Sequence, residues 1–301
     1  MGHGHAHGPV GHAGGRYRRR LAIAFALIAP FFVVQLVWGL LANSLALVSD
    51  AGHMAADVVS LGAALAATTL AARPDPTGRR TFGSYRVEIF ASGFTVLVML
   101  GVAVFVVWSA VARIGQDVEV ESGPMLVVGA LGLLVNVVVL VMLRAGASES
   151  LNVKGAYYEV VADTAGSVGV IVAGVLVATT GSTWWDTVVA LAIGVFVAVR
   201  AVVLGRQVLA VLGQHVPAGM DVDDVVADLA AVPGVTDVHD LHVWVLTSGM
   251  NVATAHLVAA PEHDVDRVLS QARDVLRDRH GVEHATLQVE RTTPDCHRID
   301  W

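Results

Sequence analysis

The sequence predicts an α-helical membrane protein, with six transmembrane helices followed by a small α+β domain on the cytoplasmic side. Hydrophobic residues fill 55% of the 301 positions and charged ones only 15%, with a mean hydropathy of +0.65. Soluble globular chains carry about 25% charged residues, so most of this one belongs in lipid. Apolar runs long enough to cross a bilayer follow one another as far as residue 204. From 207 the pattern changes to amphipathic helices and alternating strands. The expected division is a flexible His/Gly-rich tail (1–15), a membrane domain (16–206), a cytoplasmic α+β domain (207–291) and a C-terminal tail (292–301).

The first span is read over 21–42, and the polar turn Asn43-Ser44 joins it tightly to a second over 45–72, which makes the two an antiparallel hairpin. A Pro-, Gly- and Arg-rich loop (73–86) leads to a third span over 88–112. An acidic loop follows, then a fourth span over 124–143 with Pro124 at a position suited to a helix start. A polar loop leads to the fifth span (155–179), and GSTWWD to the sixth (186–204). Beyond these, Asp221 and its neighbouring acids open a helix that Pro233-Gly234 breaks. Two antiparallel strands (235–247 and 250–260), a helix carrying Val265, Val268, Leu269, Ala272, Val275 and Leu276, and a last strand (284–290) complete an α-β-β-α-β order. Such an order packs as a helical layer on a small sheet.

Lys and Arg set the orientation, because cytoplasmic loops are enriched in them. Arg16, Arg18, Arg19 and Arg20, then Arg73, Arg79, Arg80 and Arg86, then Arg144 and Lys154, and finally Arg206 fall on one side, against Arg113 on the other. Both termini are therefore expected in the cytoplasm of a cell whose plasma (inner) membrane the chain crosses repeatedly. The net charge of -7 resides mainly in the last third, which does not favour nucleic-acid binding. The single cysteine, Cys296, excludes an intrachain disulfide. No cleavable signal peptide is evident, since the run from Leu21 is too long for one.

Two ionisable dyads stand inside the apolar runs: His53/Asp57 in the second and Glu159/Asp163 in the fifth. A four-residue spacing places both members of a dyad on one helix face. Charge in hydrocarbon costs at least about 2.5–3.5 kcal/mol per residue, so the four groups are expected to share compensation. A purely structural polar cluster is more usually built from Ser, Thr or Asn, and adjacent carboxylates repel unless protons or a cation intervene. A divalent cation held by His53, Asp57, Glu159 and Asp163 meets that need. Nitrogen and oxygen donors without thiolate suit zinc, and accept cobalt, cadmium or manganese to varying degrees. Asp50, one turn before His53, is read as an entrance group or one supporting the ligands. His3, His5, His7 and His12 in the tail read as weak metal chelators, or as an inert or cloning leader.

At these residues the sequence resembles the cation diffusion facilitator family of divalent-metal/proton antiporters. NSLALVSDAGHMAADVVSL, with His53 and Asp57, is similar to the family's second-span signature, and RRTFGSYRVEI to its loop before the third span. YYEVVADTAGSVGVI is similar to the fifth-span signature and VHDLHVW to a strand of its cytoplasmic domain. The resemblance implies six spans, a ferredoxin-like or metallochaperone-like cytoplasmic domain, a homodimer in membrane lipid, and export of zinc against protons, with no enzymatic activity and no cofactor beyond the transported ion. It further implies a structural or regulatory metal at His239, His256 and Glu290, with His263, Cys296 and His297 nearby. Ordinary sheet histidines are the alternative for that group, and His242 could serve in packing beside Trp244.

Two departures from the family pattern matter. Glu159 stands where zinc-selective members carry histidine, which makes the site harder and widens tolerance toward cobalt, cadmium or manganese. Thr77, Arg80 and Ser84 replace the acid and histidine side chains through which some members bind a further metal before the third span. His53 is the natural proton carrier, because imidazole titrates near physiological pH. Three alternatives share parts of this pattern: a manganese, iron or cobalt exporter of the same fold, a non-transporting membrane metal sensor, and an intramembrane metalloprotease. The last lacks H-E-x-x-H, and four protein ligands leave zinc no open catalytic position.

Overall fold

The computed structural model of the chain describes residues 14–71, 78–116, 118–147 and 151–291. Six helices of 26 to 30 residues come first: α1 (Gly14–Leu41), α2 (Leu45–Ala71), α3 (Val87–Ala112), α4 (Ser122–Ala147), α5 (Leu151–Thr180) and α6 (Trp184–Leu212). They coincide with the six runs read from hydropathy and extend several beyond them, since a helix continues through the headgroup region once its apolar middle is set. Among the described residues, Ala22–Leu41, Val87–Ala112, Ser122–Arg144, Tyr157–Thr180 and Trp184–Leu212 are long and apolar enough to cross a membrane. α2 is not one of these five, and it is the helix that carries Asp50, His53 and Asp57.

The described chain forms two compact units. One takes in the chain up to Arg80 together with Phe90–Gly205, and the other Thr81–Ile89 with the chain from Arg206. In the first unit α1, α2, α4 and α5 pack closely, and small residues let their backbones approach. A Cβ on Gly129 would press on Ile171, and one on Gly174 on Leu126, which fixes the α4–α5 contact. α3 meets α2 where Val102 covers Gly52, and α6 where Val106 covers Gly194. Large apolar side chains such as Leu97, Val104, Trp108, Val141 and Val199 remain exposed, as on a surface that faces lipid.

The second unit holds α7 (Val222–Ala230), β1 (Val235–Thr247), β2 (Met250–Ala259), α8 (Val265–His280) and β3 (His284–Glu290), the α-β-β-α-β order expected. Asp221 caps α7 and Asp264 caps α8, each carboxylate accepting from the amide two residues on at 2.9 Å. Gly281, at φ +62°, ends α8 in the left-handed conformation. The sheet runs β1-β2-β3, antiparallel across the first pair and parallel across the second. Val225, Leu229, Leu257, Ala272, Leu276 and Leu287 close the core between sheet and helices. Thr81–Ile89, placed by chain position in the expected membrane domain, packs within this unit. Phe82 stacks edge-on against His284 with ring centroids 5.3 Å apart, and Thr247 Oγ1 donates to the Tyr85 carbonyl at 3.4 Å.

Candidate metal centre

The first helical turn of α2 is fixed by charges from two other helices. The first amides of any helix lack partners within it, and here Asp186, in the first turn of α6, supplies them. Its carboxylate accepts from the Leu45 amide at 2.7 Å, the Ala46 amide at 3.1 Å and Ser44 Oγ at 2.6 Å. A carboxylate is also favoured by the positive end of the helix dipole. Arg113, at the end of α3, donates to Asp186 at 3.1 Å and to the Asn43 carbonyl at 3.0 Å. His53 lies two turns beyond this anchor, about 12 Å along α2 at 1.5 Å per residue.

There α2 and α5 bring His53, Asp57 and Asp163 together, with one donor atom from each within 4.8 Å of the others. His53 Nδ1 is 3.8 Å from Asp57 Oδ2, and His53 Nε2 is 3.2 Å from Asp163 Oδ1. His53 Nδ1, Asp57 Oδ2 and Asp163 Oδ1 are buried without a hydrogen-bond partner among the described residues. Buried polar atoms are almost always paired, and the unpaired carboxylate oxygens on either side of the His53 ring make this a candidate cation site.

Glu159, one turn before Asp163, is not brought into that group. It forms an ion pair with Arg200 of α6, and its side chain is 40% exposed. Arg200 NH1 also lies 3.1 Å from His53 Nε2 and 4.0 Å from Asp57 Oδ1. A guanidinium only donates, so His53 Nε2 must accept this hydrogen bond and the ring proton sits on Nδ1. The guanidinium carbon is 5.9 Å from the Phe196 ring centroid, and Phe196 in turn meets His53 edge-on at 5.7 Å.

Asp50, one turn before His53, ties α2 to α1 and α5. It is buried, with Oδ2 accepting from Gln35 Nε2 of α1 at 2.6 Å and Oδ1 lying over Gly166 of α5. A Cβ at position 166 would fall on that oxygen, so only glycine allows α5 to approach α2 here. Gly166→Ala is therefore expected to lower stability by about 1–3 kcal/mol, as overpacking does. It would also spread α5 from α2, so zinc affinity of the membrane centre should fall with stability when thermal unfolding and zinc titration are compared with the unmodified chain.

The second unit carries its own candidate centre. β1 and β2 place His239 opposite His256, and β3 brings Glu290 beside them. Glu290 Oε1 is 3.2 Å from His256 Nδ1, and Oε2 is 3.5 Å from His239 Nε2. Among the described residues these three form the other group able to hold a metal, and His239 Nε2, His256 Nδ1 and Glu290 Oε2 all lack hydrogen-bond partners. Two imidazoles and a carboxylate are a donor set zinc accepts. Asp237 orients His239 at 3.2 Å, as outer carboxylates do for ligating imidazoles. Asp240, at φ +50° where β1 shifts register, faces His256 Nε2 at 3.9 Å. His263 stands apart beside Glu262, and His242 pairs with Asp240 on the surface.

The tail histidines, Thr77, Cys296 and His297 lie outside the described residues. Sequence reasoning missed Arg200 beside the membrane cluster, and Asp186, Arg113 and Gln35 in the contacts that hold α2. Arg200 had a signal, a charged residue inside the apolar run of 186–204.

A family model for the cation efflux transmembrane domain matches residues 21–212, and one for the cation efflux protein cytoplasmic domain matches residues 217–292. The chain is 42% identical over 294 residues to the metal cation efflux system protein CzcD of Cupriavidus metallidurans, covering 96% of this chain and 90% of that one. It is 34% identical over 302 residues to the zinc transporter ZitB of Escherichia coli, covering 99% and 96%. A cadmium, cobalt and zinc/H(+)-K(+) antiporter of Bacillus velezensis is 33% identical over 295 residues, covering 96% and 92%.

Proposed function

Because the chain belongs to the cation efflux family, we propose that it exports zinc, and with it cobalt and cadmium, from the cytoplasm in exchange for protons. The observation that carries this reading is the convergence of His53, Asp57 and Asp163, with one carboxylate oxygen of each acid buried and partnerless beside the imidazole. Glu159 completes the set as a fourth ligand when it turns inward. Relatives named as zinc transporter and as cadmium, cobalt and zinc antiporter support the cargo. His53 keeps an imidazole donor of the kind zinc favours, while three carboxylates admit harder ions.

In this reading α2 is a sixth span, both termini face the cytoplasm, and the chain works as a homodimer in the plasma membrane. Transport is alternating access about a fixed site near the membrane midplane, as in many secondary carriers. Facing the cytoplasm, the three donors take the metal. Facing outward, protons take the same lone pairs and the metal leaves. Each half of the cycle thus places positive charge on the same buried acids, which hydrocarbon would otherwise penalise.

The cytoplasmic domain would take the metallochaperone-like form and hold a resident zinc through His239, His256 and Glu290. That ion would supply coordinate bonds tying β1, β2 and β3 together. Equilibrium zinc titration of the full chain is then expected to show two separable sites, with His256→Ala removing the cytoplasmic one and Asp163→Ala the membrane one.

Expression in a bacterial host stripped of its own metal exporters tests the cargo. Restored growth in zinc, cobalt and cadmium is expected. Relief of manganese or iron toxicity alone would move the cargo to those ions, and relief of none by a membrane-inserted chain would favour a sensor.

A further inference from the structure

Resting on the membrane centre proposed above, we propose that Arg200 is a tethered counter-ion that occupies this centre between cargoes, and that a divalent cation loads by displacing its guanidinium. Arg200 spans two of the four proposed ligands, donating to His53 Nε2 at 3.1 Å and pairing with Glu159. An imidazole nitrogen has a single lone pair, which a guanidinium proton and a metal cannot share. While Arg200 donates to it, Nε2 is closed to the cargo. Glu159, turned toward Arg200, is likewise withheld, whereas Asp57 Oδ2 and Asp163 Oδ1 stay unpaired and ready.

Charge explains why an arginine should stand there. Asp57, Asp163 and Glu159 bring three carboxylates together, and Arg200 offsets part of that charge while no cargo is bound. It also gives the empty centre a cation, so buried acids are never left wholly uncompensated. A monovalent ion brings no more charge than the guanidinium it would replace, and so gains little by displacing it. A divalent ion brings twice as much, so the device favours divalent cargo.

The pair is placed to move. The Arg200 side chain is 25% exposed and that of Glu159 40%, while those of His53 and Asp163 are 2% exposed. The ring of Phe196, one turn before Arg200 on α6 and 5.9 Å from its guanidinium, offers a cation–π resting place once the metal enters.

Zinc titration of the full chain carrying His256→Ala, which silences the cytoplasmic centre, tests this. The comparison adds Arg200→Lys, Arg200→Gln and, as control, Asp163→Ala. Lysine keeps the charge but cannot fork between His53 and Glu159. If the arginine-occupied state excludes zinc and holds about nine-tenths of the population, its loss tightens apparent affinity about tenfold. Arg200→Gln is expected to show that tightening, and Arg200→Lys a smaller one of about threefold by the same population argument. Both should lower the maximal zinc flux, because the metal leaves more slowly without a competitor.

A purely structural ion pair predicts weaker or unchanged affinity in both variants. A simple charge effect predicts tightening with glutamine and none with lysine. Either result, obtained while Asp163→Ala abolishes the titration, would overturn the role given to Arg200 and leave the metal centre standing. An unaltered titration in Asp163→Ala would overturn the centre and this proposal together. Should Arg200→Gln fail to fold, the lysine variant decides alone.

Discussion

Asp163→Ala is expected to abolish zinc flux while leaving the chain folded and inserted. Asp163 contributes one of three buried donors and stands 3.2 Å from His53, its nearest described partner in the group. Outer-sphere groups at metal sites already cost about 10–100-fold when removed, so loss of a direct ligand should exceed about a hundredfold in affinity. The folded state has little to lose, because the carboxylate has no hydrogen bond at Oδ1 to forfeit and its burial is itself costly. Thermal stability in the absence of metal should hold or rise while transport disappears. Asp163→Asn, which keeps the shape and removes the charge, is expected to behave likewise in flux. Normal flux in either variant would remove α5 from the metal centre.

Asp186→Ala is expected to act in the opposite sense, on the fold before the chemistry. It removes the acceptor for two amides of α2 and for Ser44, and strands the Arg113 guanidinium at a partly buried position. Breaking a buried pair by deleting one partner costs about 3–5 kcal/mol. Because Asp186 secures the end of the helix that carries His53 and Asp57, zinc flux should fall in the material that does fold. Asp186→Asn keeps acceptor capacity on one atom and should recover part of the stability. Thermal unfolding of purified protein in detergent reads this directly, and an unchanged midpoint in Asp186→Ala would show that α2 is held elsewhere.

The positions of the long helices were legible because hydropathy is a property of the chain itself. The four-residue spacing of His53/Asp57 and of Glu159/Asp163 fixed which face each dyad occupies. How α2 and α5 meet was less accessible, since it depends on Gly166 accepting the Asp50 carboxylate against its backbone. Glu159 looked equivalent to Asp163 in sequence. It differs in space because α6 presents Arg200 to it, and no local pattern links residues 159 and 200. Asp186 read as an ordinary acid in a first helical turn, although its carboxylate serves a different helix. In the cytoplasmic unit the strands were legible from alternation. The parallel pairing of β3 with β2, which seats Glu290 between two histidines, follows only from the crossover through α8.

Zinc flux into proteoliposomes loaded with a zinc-sensitive dye, with and without an imposed proton gradient, tests proton-coupled export most directly. The intact chain is expected to move zinc at a rate that rises with the gradient and collapses when a protonophore dissipates it, with Asp57→Ala and Asp163→Ala silent under both conditions. Folded, inserted protein that binds zinc yet moves none of zinc, cobalt or cadmium across the bilayer would contradict it.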